Sequence, residues 1–222
     1  MDSGRAIRRA GADVVLPATA TAVVLARHGE TDDNAAMRFQ GYRDPALNAR
    51  GRDQAAALGE ALALAAAVDA GDLVGGGAVR AGHHGIDGPV GPIREIWVSP
   101  YQRAQETAAI IAERLALPVR TDERIAESNV GDWAGLTYAE VQQADPAGFN
   151  AWVDGDPRHE FPGGESLLQV TERVQSALED ARACAPTVLL VCHGGVIRSA
   201  LRAAGYPVRE PGAAHNGEAI AL

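Results

Sequence analysis

Val23-Val24-Leu25-Ala26-Arg27-His28-Gly29 and Val188-Leu189-Leu190-Val191-Cys192-His193-Gly194 share one pattern: a short apolar run, rich in β-branched residues, that stops at a histidine followed by glycine. Runs of this length without polar alternation predict strands buried on both faces, as in a parallel sheet covered by helices. In an open parallel sheet, ligands bind just beyond the carboxyl ends of the strands. There, glycine lets backbone amides approach and helix N-termini favour anions. Both histidines are therefore expected at one site.

Working outward, the helix formers from Asn48 to about Val68 predict a helix, and Ile93 to Val98 a further strand. Between them, Gly71 to Pro92 holds eight glycines and two prolines and reads as a loop insertion. Ser99-Pro100-Tyr101-Gln102 predicts a helix start, with Ser99 as cap, Pro100 at the first position and Gln102 closing a capping box. Ala104, Ala108, Ile111 and Leu115 then form its inward face, and Arg103 falls on its first turn. Thr137 with Glu140 predicts another capping box. A helix is expected from Ser166 to Cys184, with Leu167, Val170, Val174 and Leu178 on one face. A last helix follows His193 as far as Ala204, and the C-terminal residues read as a strand. Alternating strands and helices give an α/β domain with a mostly parallel sheet over residues 21–222. The first twenty residues lack a clear period and read as a flexible leader.

The 222 residues carry 20 basic and 29 acidic side chains, a formal charge of -9, and every basic residue is arginine. That balance argues against nucleic acid, which needs a basic face to release counterions. No uncharged apolar run is long enough to span a membrane, and the leader lacks a secretory apolar core. Cys184 and Cys192 form neither a disulfide framework nor a metal knuckle and are expected as reduced thiols of a cytoplasmic protein. The sequence leaves a homodimer open, because an edge strand that pairs with a second copy reads the same as a free one.

Three segments in order, Leu25-Ala26-Arg27-His28-Gly29-Glu30-Thr31-Asp32-Asp33-Asn34, Ser99-Pro100-Tyr101-Gln102-Arg103-Ala104-Gln105-Glu106-Thr107-Ala108 and Val191-Cys192-His193-Gly194-Gly195, resemble the histidine phosphatase superfamily, also called phosphoglycerate mutase-like. The resemblance runs from about Thr21 to the C-terminus and implies a three-layer α/β/α sandwich. It implies His28 as the nucleophile that becomes phosphohistidine, and Arg27, Arg103 and His193 around the phosphate. Asn34, Gln40, Gly41 and Gly194 complete the implied phosphate- and substrate-binding set. Glu127, in Glu127-Ser128-Asn129-Val130-Gly131-Asp132-Trp133, matches the family's general acid and base, with Asp132 as the nearest rival. The implied substrate is a small phosphorylated metabolite, and no cofactor or metal is called for.

The chemistry agrees with this assignment. Neutral imidazole is a good nucleophile near pH 7, and a covalent intermediate splits one hard displacement into two. Arginines and a charged histidine are suited to phosphoryl oxygens. A metal held by the two histidines is the competing reading, but no third ligand stands at zinc spacing, and Asp32 and Asp33 belong to a short helix after the loop. A phosphoester-binding regulator that does not turn over would not need both nucleophile and proton donor. Cofactor-dependent mutases of the family resemble one another in a Glu-Arg-His-Tyr-Gly acid segment, added basic residues including lysine, and a Thr-Gly pair. This chain has Glu127-Ser128-Asn129-Val130-Gly131, no lysine, and Gln40-Gly41, so the phosphatase branch is the closer match. Residues 137–164 are expected to cap the site. Tyr138, Phe149, Trp152, His159 and Phe161 serve mainly as cap core, Arg43 and Arg158 mainly as surface charges, and Pro162-Gly163-Gly164-Glu165-Ser166 as a structural turn. No supporting motif surrounds His83, His84 or His215.

Overall fold

The two strands that end in histidine lie side by side and in parallel, Arg27 opposite Cys192, so His28 and His193 leave the sheet at the same edge. The computed structural model describes residues 6–9, 12–15, 22–68, 93–184, 187–206, 208 and 214–222, without the side chains of 6–9, 12–15, 22 and 65–68. The 71–92 insertion lies outside the described residues. In chain order the elements are β1 (Ala6–Arg9), β2 (Ala12–Val15), β3 (Ala22–Arg27), α1 (Asp32–Ala35), α2 (Ala49–Val68), β4 (Glu95–Val98), α3 (Gln102–Leu115) and β5 (Val119–Thr121). They continue with α4 (Tyr138–Ala144), α5 (Pro146–Asp154), α6 (Leu167–Ala183), β6 (Thr187–Cys192), α7 (Gly194–Ala203) and β7 (Ala219–Ala221). Within the leader, β1 and β2 pair antiparallel.

The main sheet has the order β5-β4-β6-β3-β7, parallel throughout except for β7, which runs antiparallel to β3. All six residues of β6 are buried, as its place between β4 and β3 requires. Alternate residues of each strand feed two cores. Val23, Leu25, Trp97, Val188 and Leu190 meet Val170, Val174 and Leu178 of α6 and Val196 and Ile197 of α7. Val24, Ala26, Ile96, Val98, Leu189 and Val191 meet Leu58 and Leu62 of α2 and Ala104, Ala108 and Ile111 of α3. Helices on both faces make the expected three-layer α/β/α sandwich.

The capping box at Thr137 and Glu140 forms, and Ser166 caps α6 with Gln169 completing the box. The one expected at Ser99 does not. Helix α3 begins at Gln102 with Tyr101 as its N-cap and no side-chain cap bond. Ser99 Oγ meets Nε2 of His193 at 2.6 Å and accepts only a long bond, 3.4 Å, from the Tyr101 amide, while the Gln102 amide at the helix start donates to Asp44 Oδ1 at 2.6 Å, a partner 58 residues away that no local rule can supply. The preceding strand, β4, also starts later than expected, at Glu95 rather than Ile93. A third, smaller core lies over the strand ends. Phe39, Val130, Trp133, Val141, Trp152 and Phe161 are buried together, with ring centroids of Phe39 4.6 to 5.1 Å from those of Tyr138, Trp152 and Trp133.

Candidate active site

The loop after β3 is held from three sides. The His28 amide donates to Cys192 O at 3.0 Å, the Gly29 amide donates to Thr107 Oγ1 at 3.0 Å, and Thr107 Oγ1 donates back to Arg103 O at 2.8 Å. From the C-terminal segment, Asn216 Nδ2 donates to His28 O at 3.0 Å and to Asn34 Oδ1 at 3.2 Å. A Cβ at Gly29 would fall into the Gly51 backbone at the start of α2, so the close approach requires glycine.

These contacts fix the chemistry of His28. Its Nδ1 lies 2.7 Å from Gly29 O. A carbonyl can only accept, so Nδ1 carries the proton and Nε2 is left with its lone pair. Burial, then the Arg103 and Arg27 charges, push the His28 pKa well below the ordinary value of 6.5. The imidazole is therefore neutral. His193 stands beside it, ring centroids 5.1 Å apart, and burial followed by the same two arginines and His28 pushes its pKa down as well. Two guanidiniums and the loss of water thus hold His193 neutral, and the charged histidine expected around phosphoryl oxygens calls for their added negative charge beside it.

Both depressed histidines have the same consequence for stability. Between the ordinary value of 6.5 and their lower folded values, the unfolded chain binds protons that the folded chain does not. Folding stability is thus full above that value and falls as pH drops below it, by about 1.4 kcal/mol per pH unit for each histidine. Urea denaturation between pH 7.5 and 5 is expected to show this loss, and His193→Gln is expected to flatten it. An unchanged slope in the variant would contradict the assignment.

Arg103, fully buried, donates from Nη1 to Arg43 O at 2.8 Å and lies 3.8 Å from Asp44. Arg27 donates from Nη1 to Ala214 O at 2.9 Å. Among the described residues, six buried side-chain polar atoms lack a protein partner, and Arg27 Nε, Arg103 Nε and His193 Nδ1 are three of them. An unsatisfied buried donor costs about 1 to 3 kcal/mol, so the two unpartnered guanidinium donors, whose charges both act on His28, favour an anion beside it. The N-terminus of α7, with Gly194 and Gly195 on the pocket wall, adds its dipole there.

Of the remaining sequence candidates, Asn34, Gln40, Gly41 and Glu127 all line the same pocket. The Asn34 carbonyl oxygen is taken by Thr31 and Asn216, which leaves its amide donors for a ligand. Gln40 accepts from Thr31 Oγ1 at 3.1 Å. Glu127 accepts from the Ser128 amide at 2.9 Å, and its carboxylate occupies the space that a Cβ on Gly195 would need. Asp132, the rival, is exposed and is absent from the pocket wall. The cap supplies Tyr138, Trp152 and Phe161 to the wall, while His159 is buried against Trp133 and Phe161. Arg158 is exposed and paired with Asp156, and Arg43 with Asp33, in keeping with surface charges.

Sequence reasoning missed several members. Arg173 on α6 donates to the carbonyls of Arg124 (2.8 Å) and Ala126 (2.7 Å) and pairs with both oxygens of Glu165, which also accepts from the Asn129 amide. This strut holds the Glu127 segment from both ends and gives the turn before α6 a second task. Thr107, Asn216, Arg38 and Arg198 were also unmarked. Thr107 alone had a local signal, standing one turn after Arg103 on a predicted helix.

Among the described residues, no three His, Cys, Asp or Glu side chains gather as a metal-binding group, and no helix is long and apolar enough to cross a membrane. The chain matches the family model of the histidine phosphatase superfamily, branch 1, over residues 23–70 and 88–219. It is 34% identical to a glucosyl-3-phosphoglycerate phosphatase of Mycolicibacterium vanbaalenii over 197 residues, 84% of this chain and 75% of the relative. It is also 34% identical to phosphoserine phosphatase 1 of Hydrogenobacter thermophilus over 173 residues, 77% and 70% of the two chains. The structure of mycobacterial glucosyl-3-phosphoglycerate phosphatase in complex with VO3 superposes with a TM-score of 0.72 at 30% identity, covering 91% of each chain. Fold, motif order and relatives thus agree, and the chain belongs to the histidine phosphatase superfamily, in its branch 1, as a phosphomonoesterase.

Proposed function

We propose that His28 Nε2 attacks the phosphorus of a small organic phosphomonoester, forming an N–P bond as the ester P–O bond breaks. Arg27 and Arg103 receive the phosphoryl oxygens through their unpartnered Nε donors, and His193 through Nδ1, which carries the proton when Ser99 Oγ donates to Nε2, so that charge is stabilised as it spreads in a loose transition state. Glu127 gives its proton to the leaving alkoxide. It then takes one from the water that cleaves the phosphohistidine, releasing inorganic phosphate. The observation that carries this reading is the Nδ1–H bond of His28 to Gly29 O, which leaves Nε2 unprotonated amid two arginines.

In this reading no step calls on a metal. The protein works in the cytoplasm, where Cys184 and Cys192 stay reduced, on a small-molecule substrate and without nucleic acid or membrane. The purified protein is expected to release phosphate from p-nitrophenyl phosphate in EDTA, with an unchanged rate when divalent cations are added. Activity that appears only with a divalent metal would overturn the mechanism. Conversion of 3-phosphoglycerate to 2-phosphoglycerate after priming with a bisphosphoglycerate would establish the mutase instead.

A further inference from the structure

Glu127 has to meet a leaving oxygen within hydrogen-bond reach, yet residues 126–130 form neither helix nor strand, and its carboxylate bonds the amide of its own neighbour, Ser128. The hold on this stretch comes from α6. Arg173 Nη1 donates to Arg124 O at 2.8 Å and to Ala126 O at 2.7 Å, and Nη2 donates more loosely to Glu127 O at 3.4 Å. On the other edge of the guanidinium, Nε and Nη2 pair with Glu165 at 2.9 and 3.0 Å. Glu165 Oε2 in turn accepts from the Asn129 amide at 2.8 Å, and the Glu165 amide donates to Asn129 O at 2.9 Å. All five N–H groups of Arg173 are thereby engaged, and backbone on both sides of Glu127 is gripped. The two loops are built to meet: a Cβ on Gly164 would overlap Asn129 O, and one on Gly131 would overlap Pro162 O.

The anchor is rigid, because Arg173 lies between Val170 and Val174, which are buried against the sheet. Its ion pair with Glu165 is largely shielded, the side chains being 20% and 26% exposed. The two charges also cancel, so the support adds no net charge beside a carboxyl that must give a proton and then take one. We propose that Arg173, clamped by Glu165, is a positioning residue for proton transfer, holding Glu127 at the leaving oxygen and, later, at the attacking water. The proposal rests on the phosphomonoesterase reading above, with Glu127 as the acid. Arg173 has no N–H group left for a substrate, so attack by His28 and binding of phosphate should scarcely feel its loss. Proton delivery should feel it, because a displacement of the donor by about 1 Å costs on the order of 10²-fold.

The test exploits leaving-group basicity. An alkoxide must be protonated as it departs, whereas p-nitrophenolate leaves nearly unaided, and kcat/KM covers the steps through departure. Arg173→Met is expected to lower kcat/KM for glycerol 3-phosphate by about 30-fold and that for p-nitrophenyl phosphate by no more than about threefold, with inhibition by inorganic phosphate unchanged. Arg173→Lys should recover part of the loss, because an ammonium can still bond a carbonyl but lacks the fork. Glu165→Gln, which loses the ion pair, should show a smaller fall of the same selectivity. An equal fall for both esters, as general loosening of the site would give, or no fall for either, would overturn the proposal. Glu127→Gln separates the two readings. A selective loss there but not in Arg173→Met defeats the strut alone, and an equal loss for both esters in Glu127→Gln defeats the acid and the strut together. Amide exchange of residues 124–131 reads the strut without turnover. Exchange about tenfold faster in Arg173→Met supports the proposal, and unchanged rates overturn it.

Discussion

Replacing His28 with alanine is expected to lower phosphate release by about 10⁴-fold or more, because the covalent route disappears with the nucleophile. Nothing nearby can substitute. His193 has its Nε2 engaged with Ser99, and Cys192 is a fully buried thiol whose pKa is raised by burial and then by Glu127. The check is a rapid quench with labelled substrate: wild type should trap an acid-labile, base-stable phosphoryl group on the protein, and the variant none. Label that persists in His28→Ala would place the covalent step elsewhere. The fold should survive, since the backbone bonds of His28 to Cys192 and Asn216 do not depend on its side chain.

Arg103→Met is expected to cost about 10³-fold in kcat/KM, the scale on which arginines act in phosphoryl transfer. Its expected effect on stability is far smaller. Arg103 is a fully buried cation whose pKa is lowered by burial, and Glu127 first, then Asp44 at 3.8 Å, offset that cost only in part. Methionine of similar length removes that desolvation cost while leaving the Arg43 carbonyl without its donor, two effects of opposite sign. Inorganic phosphate at a hundred times its Kd should stabilise wild type by about 2.7 kcal/mol and the variant much less. Thermal melts with and without phosphate, run beside the kinetics, decide the matter. A variant that loses activity only because it unfolds would remove Arg103 from the phosphate cluster.

Much of the site was legible because its carriers are local. A buried parallel strand is an unbroken apolar run, and the residue after it has one place to go, so the sequence alone sets His28 and His193 at a common edge. Arg103 followed from its position early in a helix after a third strand. Capping at Thr137 succeeded for the same reason: donor and acceptor lie three residues apart. Ser99 is not the cap because the first helical amide, that of Gln102, donates to Asp44, which lies 58 residues away in the chain.

The family resemblance of its motifs implied the three-layer sandwich and the role of Glu127, while the amino-acid sequence by itself determined an α/β domain with a mostly parallel sheet and the common edge at which His28 and His193 leave it. Those properties depend on burial period and short-range hydrogen bonding, which a linear chain carries in full. Only the tertiary structure decided the protonation and the supports. The neutrality of His193 arises from burial and from guanidiniums contributed by β3 and α3. The strut of Arg173 and Glu165 under Glu127, the lock of Asn216 on the His28 loop, and the stack of Arg198 on Trp152 join residues 8 to 188 positions apart. Electrostatic fields and contacts of that kind are sums over neighbours in space, and most of those neighbours are set by the folding of the sheet.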